Sequence, residues 1–396
     1  MNVNSRVLLV AAFFAAFCVT GFGQNRSLLE KSPVVGSIVD VNGAKVVAAK
    51  QSLLKDTLRI NLSDIADGFE IIHLDNRDEA LVGETPLLCI SDNYLLVGNN
   101  RQNPVKLFDR KGKFLTVIGA YGQGPEEYQN IYQMQLDEPN NRIYILPWQS
   151  NKLLVYDLKG NSLTYIPIGP RVPKGNFYVD QAASTVAVAS LPFPGYPVAW
   201  TLDMEGKLKV KIDAGHLAVP QTFSNEVGSS RNAGRFDLNI MSIEPTRVDS
   251  LYYFDYKNSR LVPCFTMNFK EEKTPWHAYS ELPGFYLGDI SYPVQVGEGR
   301  WTSSAPTYYI IDKTSARGAY FRLYNDFLGG REIGWPIYAF RQGYFVSNTE
   351  PGVLMEQLEA QLPKIKDAAT KKRVQEILDS LDENDNNVII LAKLKK

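Results

Sequence analysis

Side chains that could carry out catalysis are few in this sequence and widely spaced. The three histidines, His73, His216 and His277, stand singly, whereas zinc ligands usually occur in closely spaced pairs. The glycine-flanked serine of hydrolases, the paired histidines of zinc peptidases and the glycine-rich phosphate loop are all missing from the sequence. We therefore predict no catalytic residues and no metal ligands, and we interpret each histidine as a structural or surface residue.

An acidic run near the end of the chain, 382–387, is similar to the start of a calcium-binding loop. Asn387 takes the place of the central glycine that such a loop needs, and Lys393 takes the place of its bidentate glutamate. These two departures predict a solvated turn and no cofactor. Calcium is the ion that the acidic run would suit, but the motif does not support it.

The segment 119–128 is the sharpest local motif. Its three glycines permit tight turns, Pro125 fixes its own φ angle, and the next residues provide two carboxylates and an aromatic ring. We interpret it first as the crossover between two units of strands. The alternative is a ligand-binding loop, because binding residues concentrate in loops on rigid scaffolds, and Trp or Tyr rings in other loops would suit sugars or peptides. The candidate ligand-binding residues are Gln123, Glu126, Glu127, Tyr128, Trp148 and Tyr196.

Repeated hairpins predict the scaffold that would hold these loops. Three of them consist of an apolar strand, an Asp, a Gly three residues later and a second strand. Their aspartates, Asp109, Asp157 and Asp203, are 48 and 46 residues apart. The segments 251–255 and 308–312 share the apolar strand and the Asp at a spacing of 57, and we place them at a different phase of the unit, at the end of the preceding strand. Units of this length with about four short strands are typical of β-propeller blades.

The sequence therefore predicts an all-β fold, a six-bladed β-propeller with a small helical insertion in the last blade. Apolar residues at helical spacing mark the insertion at about 353–381. The last blade lacks an outer strand, and we predict that 57–62 supplies it and closes the ring. Residues 24–56 are predicted to be an N-terminal extension and 57–396 the propeller. The predicted blade cores lie near 86–118, 131–168, 177–212, 237–269, 285–325 and 335–394.

The first residues have the order of a secretory signal. Arg6 precedes an apolar run, 7–19, and small residues follow that run. We predict cleavage after Gly23, so that residues 1–23 form a signal peptide. The alternative is lipidation of Cys18, although Phe17 stands where a small residue is usual before a lipid-modified cysteine. No later segment of the sequence is apolar and long enough to predict a transmembrane span.

The charge balance excludes one class of partner. The chain has 42 Lys and Arg and 43 Asp and Glu residues, a net charge of -1, whereas a protein that binds nucleic acid through its overall charge needs a basic excess. We expect no nucleic-acid partner and a monomer. After cleavage only Cys89 and Cys264 would remain, which could pair in an oxidising compartment or stay buried and unpaired.

These features together resemble a family, the six-bladed β-propeller proteins abundant in Bacteroidetes, which is related in pattern to NHL-repeat propellers. The resemblance implies an exported propeller, often a lipoprotein, that is periplasmic or associated with the cell surface or outer membrane of a Gram-negative bacterium. In the tail, Asn387 stands where proline is more usual. The matching segments are 62–67 with 71–74, 108–114, 122–128 and 383–395.

Two hypotheses for the function remain open. The first is a non-catalytic extracytoplasmic binding or scaffold propeller that recognises a peptide, a glycan or a partner protein through loops at one end of its ring. The alternative is a propeller hydrolase or lyase with a metal or acid–base site at the central channel, built from residues of different blades such as Glu126, Asp137, Asp180 or Asp289. Carboxylates or histidines with shifted pKa values on the channel would favour the enzyme, and an aromatic, uncharged mouth would favour binding.

Overall fold

Six antiparallel sheets follow one another along the chain in a computed structural model that describes residues 28–83, 87–98, 103–222, 224–243, 246–269 and 274–396. The predicted signal peptide and Cys18 lie outside the described residues. The first strands of blades one to four contact one another in sequence, as the inner strands of a propeller do. The predicted six-bladed β-propeller is confirmed.

Each blade has four main strands, numbered here from the centre outwards. Blades one to three consist of Leu87–Ile90, Tyr94–Gly98, Val105–Asp109 and Phe114–Ile118; Ile131–Asp137, Arg142–Pro147, Ser150–Tyr156 and Ser162–Val172; and Gly175–Asp180, Thr185–Ser190, Pro197–Leu202 and Leu208–Asp213. Blades four to six consist of Glu226–Gly228, Asp237–Met241, Ser250–Asp255 and Arg260–Asn268; Trp276–Glu281, Phe285–Ser291, Thr307–Asp312 and Gly318–Asn325; and Phe340–Arg341, Tyr344–Thr349, Val388–Leu394 and Ala66–His73.

Additional elements decorate this ring. Two strands from the predicted N-terminal extension add to the outer edge of blade four, and a hairpin projects between the second and third strands of blade five. The predicted helical insertion is confirmed: two helices lie between the second and third strands of blade six. These elements are Gly36–Val41, Ala44–Lys50, Pro293–Gly297, Arg300–Ser303, Pro351–Gln361 and Ala368–Asp379; shorter ones are Leu62–Ile65, Ala120–Tyr121, Glu127–Tyr128 and Arg331–Glu332.

The predicted closing strand is wrong by one segment. Thr57–Asn61 pairs in parallel with the fourth strand of blade five, and Ala66–His73 is the strand that completes blade six. The short helix Leu62–Ile65 carries the chain from one blade to the next. Apolar and polar residues alternate throughout Thr57–Asn61 and at 69–71 within Ala66–His73, so this pattern does not distinguish their partners. Ala66–His73 has eight residues, close to the seven of its neighbour Val388–Leu394.

The predicted difference in repeat phase is also wrong. Asp255 and Asp312 end the third strands of their blades, as Asp109 does, and Asp157 and Asp203 directly follow the third strands of theirs. In all five blades the aspartate accepts hydrogen bonds from backbone N–H groups of the turn that follows. The projecting hairpin lengthens blade five before its third strand, and this insertion explains the longer spacing of 57 residues.

The acidic run 382–387 forms a turn that holds the two ends of the ring together. The buried Asn386 amide donates to the backbone oxygens of Asp75 and Ala80, at 2.8 and 3.0 Å, and its oxygen accepts from the backbone N–H of Val82 at 2.9 Å. The side chain of Asn387 donates to the carbonyl of Gly83. The amides that the calcium interpretation would use are thus engaged with the segment that leads from blade six to blade one.

Cys89 and Cys264 are buried and unpaired. The Cys89 thiol donates to the carbonyl of Met134 at 3.3 Å, and the Cys264 thiol donates to the carbonyl of Leu251 at 3.2 Å. Burial raises the pKa of both thiols, so they stay protonated near neutral pH. Among the described residues, no helix has the length and apolar character that crossing a membrane requires.

Candidate ligand-binding site

The antiparallel strands divide the loops between two ends of the ring. Connections between first and second strands, and between third and fourth strands, lie at one end, which we call the A–B end. Connections between second and third strands, and the crossovers between blades, lie at the other, which we call the crossover end. All six candidate binding residues predicted from the sequence come from loops of the crossover end: Gln123, Glu126, Glu127 and Tyr128, Trp148, and Tyr196.

The crossover from blade one to blade two brings four of these candidates together. Tyr128 is buried; its hydroxyl donates to the carbonyl of Ile118 and accepts from the backbone N–H of Val105. The carboxylate of Glu127 accepts from the backbone N–H of Gly124 at 2.9 Å and folds the loop onto itself. Both side chains therefore support the shape of the crossover, as its first interpretation requires, and the exposed Gln123 and Glu126 remain available at its surface.

Trp148 and Tyr196 lie apart from each other along the ring. Trp148, 44% exposed, is in blade two, and its backbone N–H donates to the carbonyl of Asn130, so it borders the crossover. Tyr196 is half-buried in blade three against the apolar cluster shared with blade four. A cavity of 560 Å³ beside the crossover is lined by Glu126 and Glu127 and includes neither aromatic residue.

A larger cavity, of 770 Å³, opens at the A–B end, and we call it the central cavity. First–second connections of five blades line it, together with side chains of the first strands of blades two and three. The ligand-binding residues predicted from the sequence lie at the opposite end, and the arginines of this cavity were not among the predicted site residues. Its polar and aromatic lining residues include Asp92, Asp137, Glu138, Asp180, Tyr178, Arg231, Arg235, Tyr256 and Gln342.

The connection 229–237 in blade four, the arginine loop, contributes both arginines of the cavity. Asp237 is buried at the base of this loop, and its carboxylate accepts hydrogen bonds from the Ser229 hydroxyl, from the backbone and hydroxyl of Ser230 and, at 2.6 Å, from the backbone N–H of Arg231. Burial raises the pKa of Asp237, while the hydrogen bonds from Arg231 and Ser230 oppose that rise. These bonds hold Arg231 in the left-handed region at a φ of 55°, a conformation that non-glycine residues rarely adopt.

The guanidinium of Arg231 lies against an aromatic wall. It is 5.4 Å from the ring centre of Tyr178 and 5.5 Å from that of Phe236. One terminal nitrogen donates to the carbonyl of Phe177, whereas the buried Nε has no hydrogen-bond partner among the described residues. Burial lowers the pKa of Arg231, but the side chain stays protonated because an arginine pKa lies far above neutral pH.

Arg235 differs from Arg231 because a buried acid neutralises it. Glu281, 1% exposed, accepts hydrogen bonds from Arg235 through both carboxylate oxygens and also from Lys313 at 2.6 Å. Burial opposes the charge of Arg235, but the bond to Glu281 outweighs it and raises the pKa of Arg235. Within the described part of the chain, Arg231 is therefore the cation of the cavity lining without a paired carboxylate side chain.

Two of the four acids proposed for the enzyme hypothesis, Asp137 and Asp180, share the central cavity. Asp180 accepts hydrogen bonds from the Tyr256 hydroxyl at 2.8 Å and from a backbone N–H, and the exposed Lys257 ammonium lies 3.9 Å away. Burial opposes the ionisation of Asp180, but these contacts lower its pKa. Glu126 lines the separate cavity at the crossover. Asp289 is buried within blade five, where burial raises its pKa to about 6. Within the described ranges, no three His, Cys, Asp or Glu side chains are grouped so that they could hold a metal ion.

The family of the chain follows from a match that spans nearly its whole length. The model of DUF4934, a domain of unknown function, matches residues 44–393. The chain belongs to the DUF4934 family. The match runs from a strand added to blade four to the third strand of blade six, so the DUF4934 domain includes all six blades of the ring.

Two solved structures are similar to this DUF4934 protein at low identity, and the one with a TM-score above 0.5 supports the fold alone. A protein of Bacteroides fragilis described as exported has 14% identity and a TM-score of 0.56, and the alignment covers 89% of this chain and 100% of that one. A DUF4221 family member of Bacteroides vulgatus has 11% identity and a TM-score of 0.45, with 84% and 97% covered. No curated protein matches the chain. The relation to NHL-repeat propellers and the lipid anchor stay predictions.

Proposed function

We propose that this DUF4934 protein is a non-catalytic, exported binding protein that takes a polar ligand of the size of a short peptide or oligosaccharide into its central cavity. The observation that carries the proposal is that connections from five blades surround one cavity of 770 Å³. This volume lies within the range of about 300–1,000 Å³ that is typical of ligand pockets. A rigid ring that presents several loops around one concavity favours binding.

The acids of the cavity favour binding over hydrolysis. The lowered pKa of Asp180 keeps it ionised at neutral pH, whereas a general acid needs a pKa near the working pH. Asp289, whose pKa is raised, does not line the central cavity. Cavity acids that stay charged are suited to pairing with a cationic group of a ligand.

Export is supported by the secretory pattern of residues 1–23 and by similarity to the B. fragilis protein described as exported. We propose cleavage after Gly23, with lipidation of Cys18 as the alternative; mass spectrometry of the protein from the cell envelope distinguishes the two mature N-termini. The fraction that contains the protein, periplasm or outer membrane, then follows from the same preparation.

The experiment that tests the cavity is a binding screen with a matched pair of variants. Thermal shift of the chain from Gln24 would be measured against peptides, oligosaccharides and divalent metals, and hits would be repeated by calorimetry. Ala182→Trp fills the cavity, whereas Ala183→Trp adds the same side chain at an adjacent exposed position outside its lining. We expect Ala182→Trp alone to lose binding. Equal binding by both variants, or a shift with calcium only, would contradict the proposal.

A further inference from the structure

We propose that the ligand is a short peptide with free termini, whose carboxylate pairs with Arg231 while its ammonium group faces Asp137 and Asp180. This inference rests on the proposed function and deepens it by naming the ligand class. Three features of the central cavity carry it: an arginine with an unused donor, a loop that holds this arginine in place, and carboxylates on the same aromatic wall.

The unused donor indicates an anionic ligand group. A buried N–H without an acceptor is unfavourable, and the Nε of Arg231 is such a group. Among the residues that the structure describes, one of its terminal nitrogens has an acceptor, the carbonyl of Phe177. A planar guanidinium offers paired N–H groups that match the two oxygens of a carboxylate. A ligand carboxylate would pair with the guanidinium of Arg231 as Glu281 pairs with that of Arg235, since Asp237 bonds to Arg231 through the backbone.

The loop geometry indicates that Arg231 is preorganised. The carboxylate of Asp237 accepts from the backbone N–H groups of Ser230 and of the left-handed Arg231 itself, and so fixes the backbone that leads into Arg231. Ring contacts with Tyr178 and Phe236 then restrict the guanidinium. A cation that is already held in position loses little further conformational freedom when a ligand binds.

The opposite charge lies along the same wall. The rings of Tyr178 and Tyr256 are 5.7 Å apart, and the Tyr256 hydroxyl donates to Asp180. Tyr178 and Asp180 are two residues apart on one strand, a separation of about 7 Å, and so share its face. A ligand on this wall thus meets a cation at one side and carboxylates at the other. A neutral sugar uses neither charge, and the cavity carboxylates would repel a sulfated glycan.

The test compares three libraries of tripeptides by calorimetry: free termini, C-terminal amides and N-acetylated peptides. We expect amidation and acetylation each to weaken binding to the wild type at least tenfold. Arg231→Gln should abolish the effect of amidation but keep that of acetylation, and Asp180→Asn should reduce the effect of acetylation but keep that of amidation. Arg171→Gln, at an exposed arginine outside the cavity lining, is the control and should behave as the wild type.

The outcomes separate the two proposals. If the wild type binds free and amidated peptides with equal affinity, the inference about the carboxylate is overturned. It is also overturned if Arg231→Gln weakens the binding of free and of amidated peptides by the same factor. Binding of oligosaccharides without any peptide overturns the inference but leaves the proposed function in place. Binding of neither class contradicts both. Circular dichroism of every variant checks that the fold is retained, and Asp180→Asn tests the charge pattern independently if Arg231→Gln does not fold.

Discussion

The substitution Asp237→Asn tests whether one buried carboxylate shapes the binding site. One oxygen of this carboxylate accepts from the backbone N–H and the hydroxyl of Ser230, at 3.0 and 2.8 Å, and the other accepts from the backbone N–H of Arg231. An amide nitrogen in place of either oxygen would face donors with a donor. The arginine loop would then lose the bonds that hold Arg231 in its left-handed conformation.

The expected loss of unfolding free energy is about 2–3 kcal/mol. A hydrogen bond to a charged group contributes about 1.5–3 kcal/mol, and an unsatisfied buried donor costs a similar amount. Neutralising a buried carboxylate recovers part of its desolvation cost, because burial raises the pKa of Asp237, and this recovery limits the loss. Peptide affinity should fall at least tenfold as well, although Asp237 does not line the cavity.

Urea unfolding followed by circular dichroism and tryptophan fluorescence measures the stability, and calorimetry with the free tripeptides measures the affinity. Asp92→Asn is the matched control, because Asp92 is an exposed aspartate at the rim of the same cavity. The control should unfold within about 0.5 kcal/mol of the wild type. If Asp237→Asn unfolds at the same urea concentration as Asp92→Asn, the carboxylate does not hold the loop and the reasoning fails.

Three further predictions concern the scaffold. Asn386→Ala should lower the unfolding free energy by about 2–4 kcal/mol, because the Asn386 amide joins the two ends of the ring. Asn384→Ala, in the exposed part of the same turn, should change it by less than about 0.5 kcal/mol. Equal urea midpoints of the two variants would contradict this role of Asn386. Gly112→Ala should lower the melting temperature far more than Gly43→Ala. Both glycines have positive φ, 86° and 79°, so alanine costs about 1–2 kcal/mol of backbone strain at either position. A Cβ at Gly112 would also lie 1.9 Å from a backbone oxygen, whereas one at Gly43 has no neighbour within 4 Å. Asp289→Asn should gain about 2 kcal/mol of stability relative to the wild type as pH rises from 4 to 7, because the folded pKa of about 6 exceeds the usual 3.8 and the wild-type carboxyl therefore ionises more readily in the unfolded state; urea midpoints with a constant difference across this range would refute it.

Local repeats made the fold predictable. The hairpin turn after each third strand needs an aspartate to accept backbone N–H groups and, in three blades, a glycine with positive φ, and both requirements are visible in the sequence at Asp109 and Gly112. The helical insertion was predictable for the same reason, because apolar spacing reports which face of a helix is buried. The hairpin in blade five obscured the phase of the later repeats, since it lengthens one unit without changing its strands.

The partner of a strand and the end of the ring that binds ligand were not predictable in this way. The alternation in Thr57–Asn61 and Ala66–His73 reports a half-buried strand in both, but the choice of neighbour depends on the short helix between them and on packing between blades five and six. Likewise, the segment 119–128 has the strongest local motif because its backbone needs tight turns. That motif indicates a crossover, while Arg231 and Asp180 come together from separate blades without any shared local pattern.

The chain alone therefore specified the number of blades, the turns and the helical insertion, because each depends on contacts between residues close in sequence. Ring closure through Ala66–His73 and Asn386, and the charges around the central cavity, depend on contacts between residues far apart in sequence. Loop closure brings such residues together only once the blades have packed into a ring. For this reason only the tertiary structure places Arg231 on the same aromatic wall as Asp180.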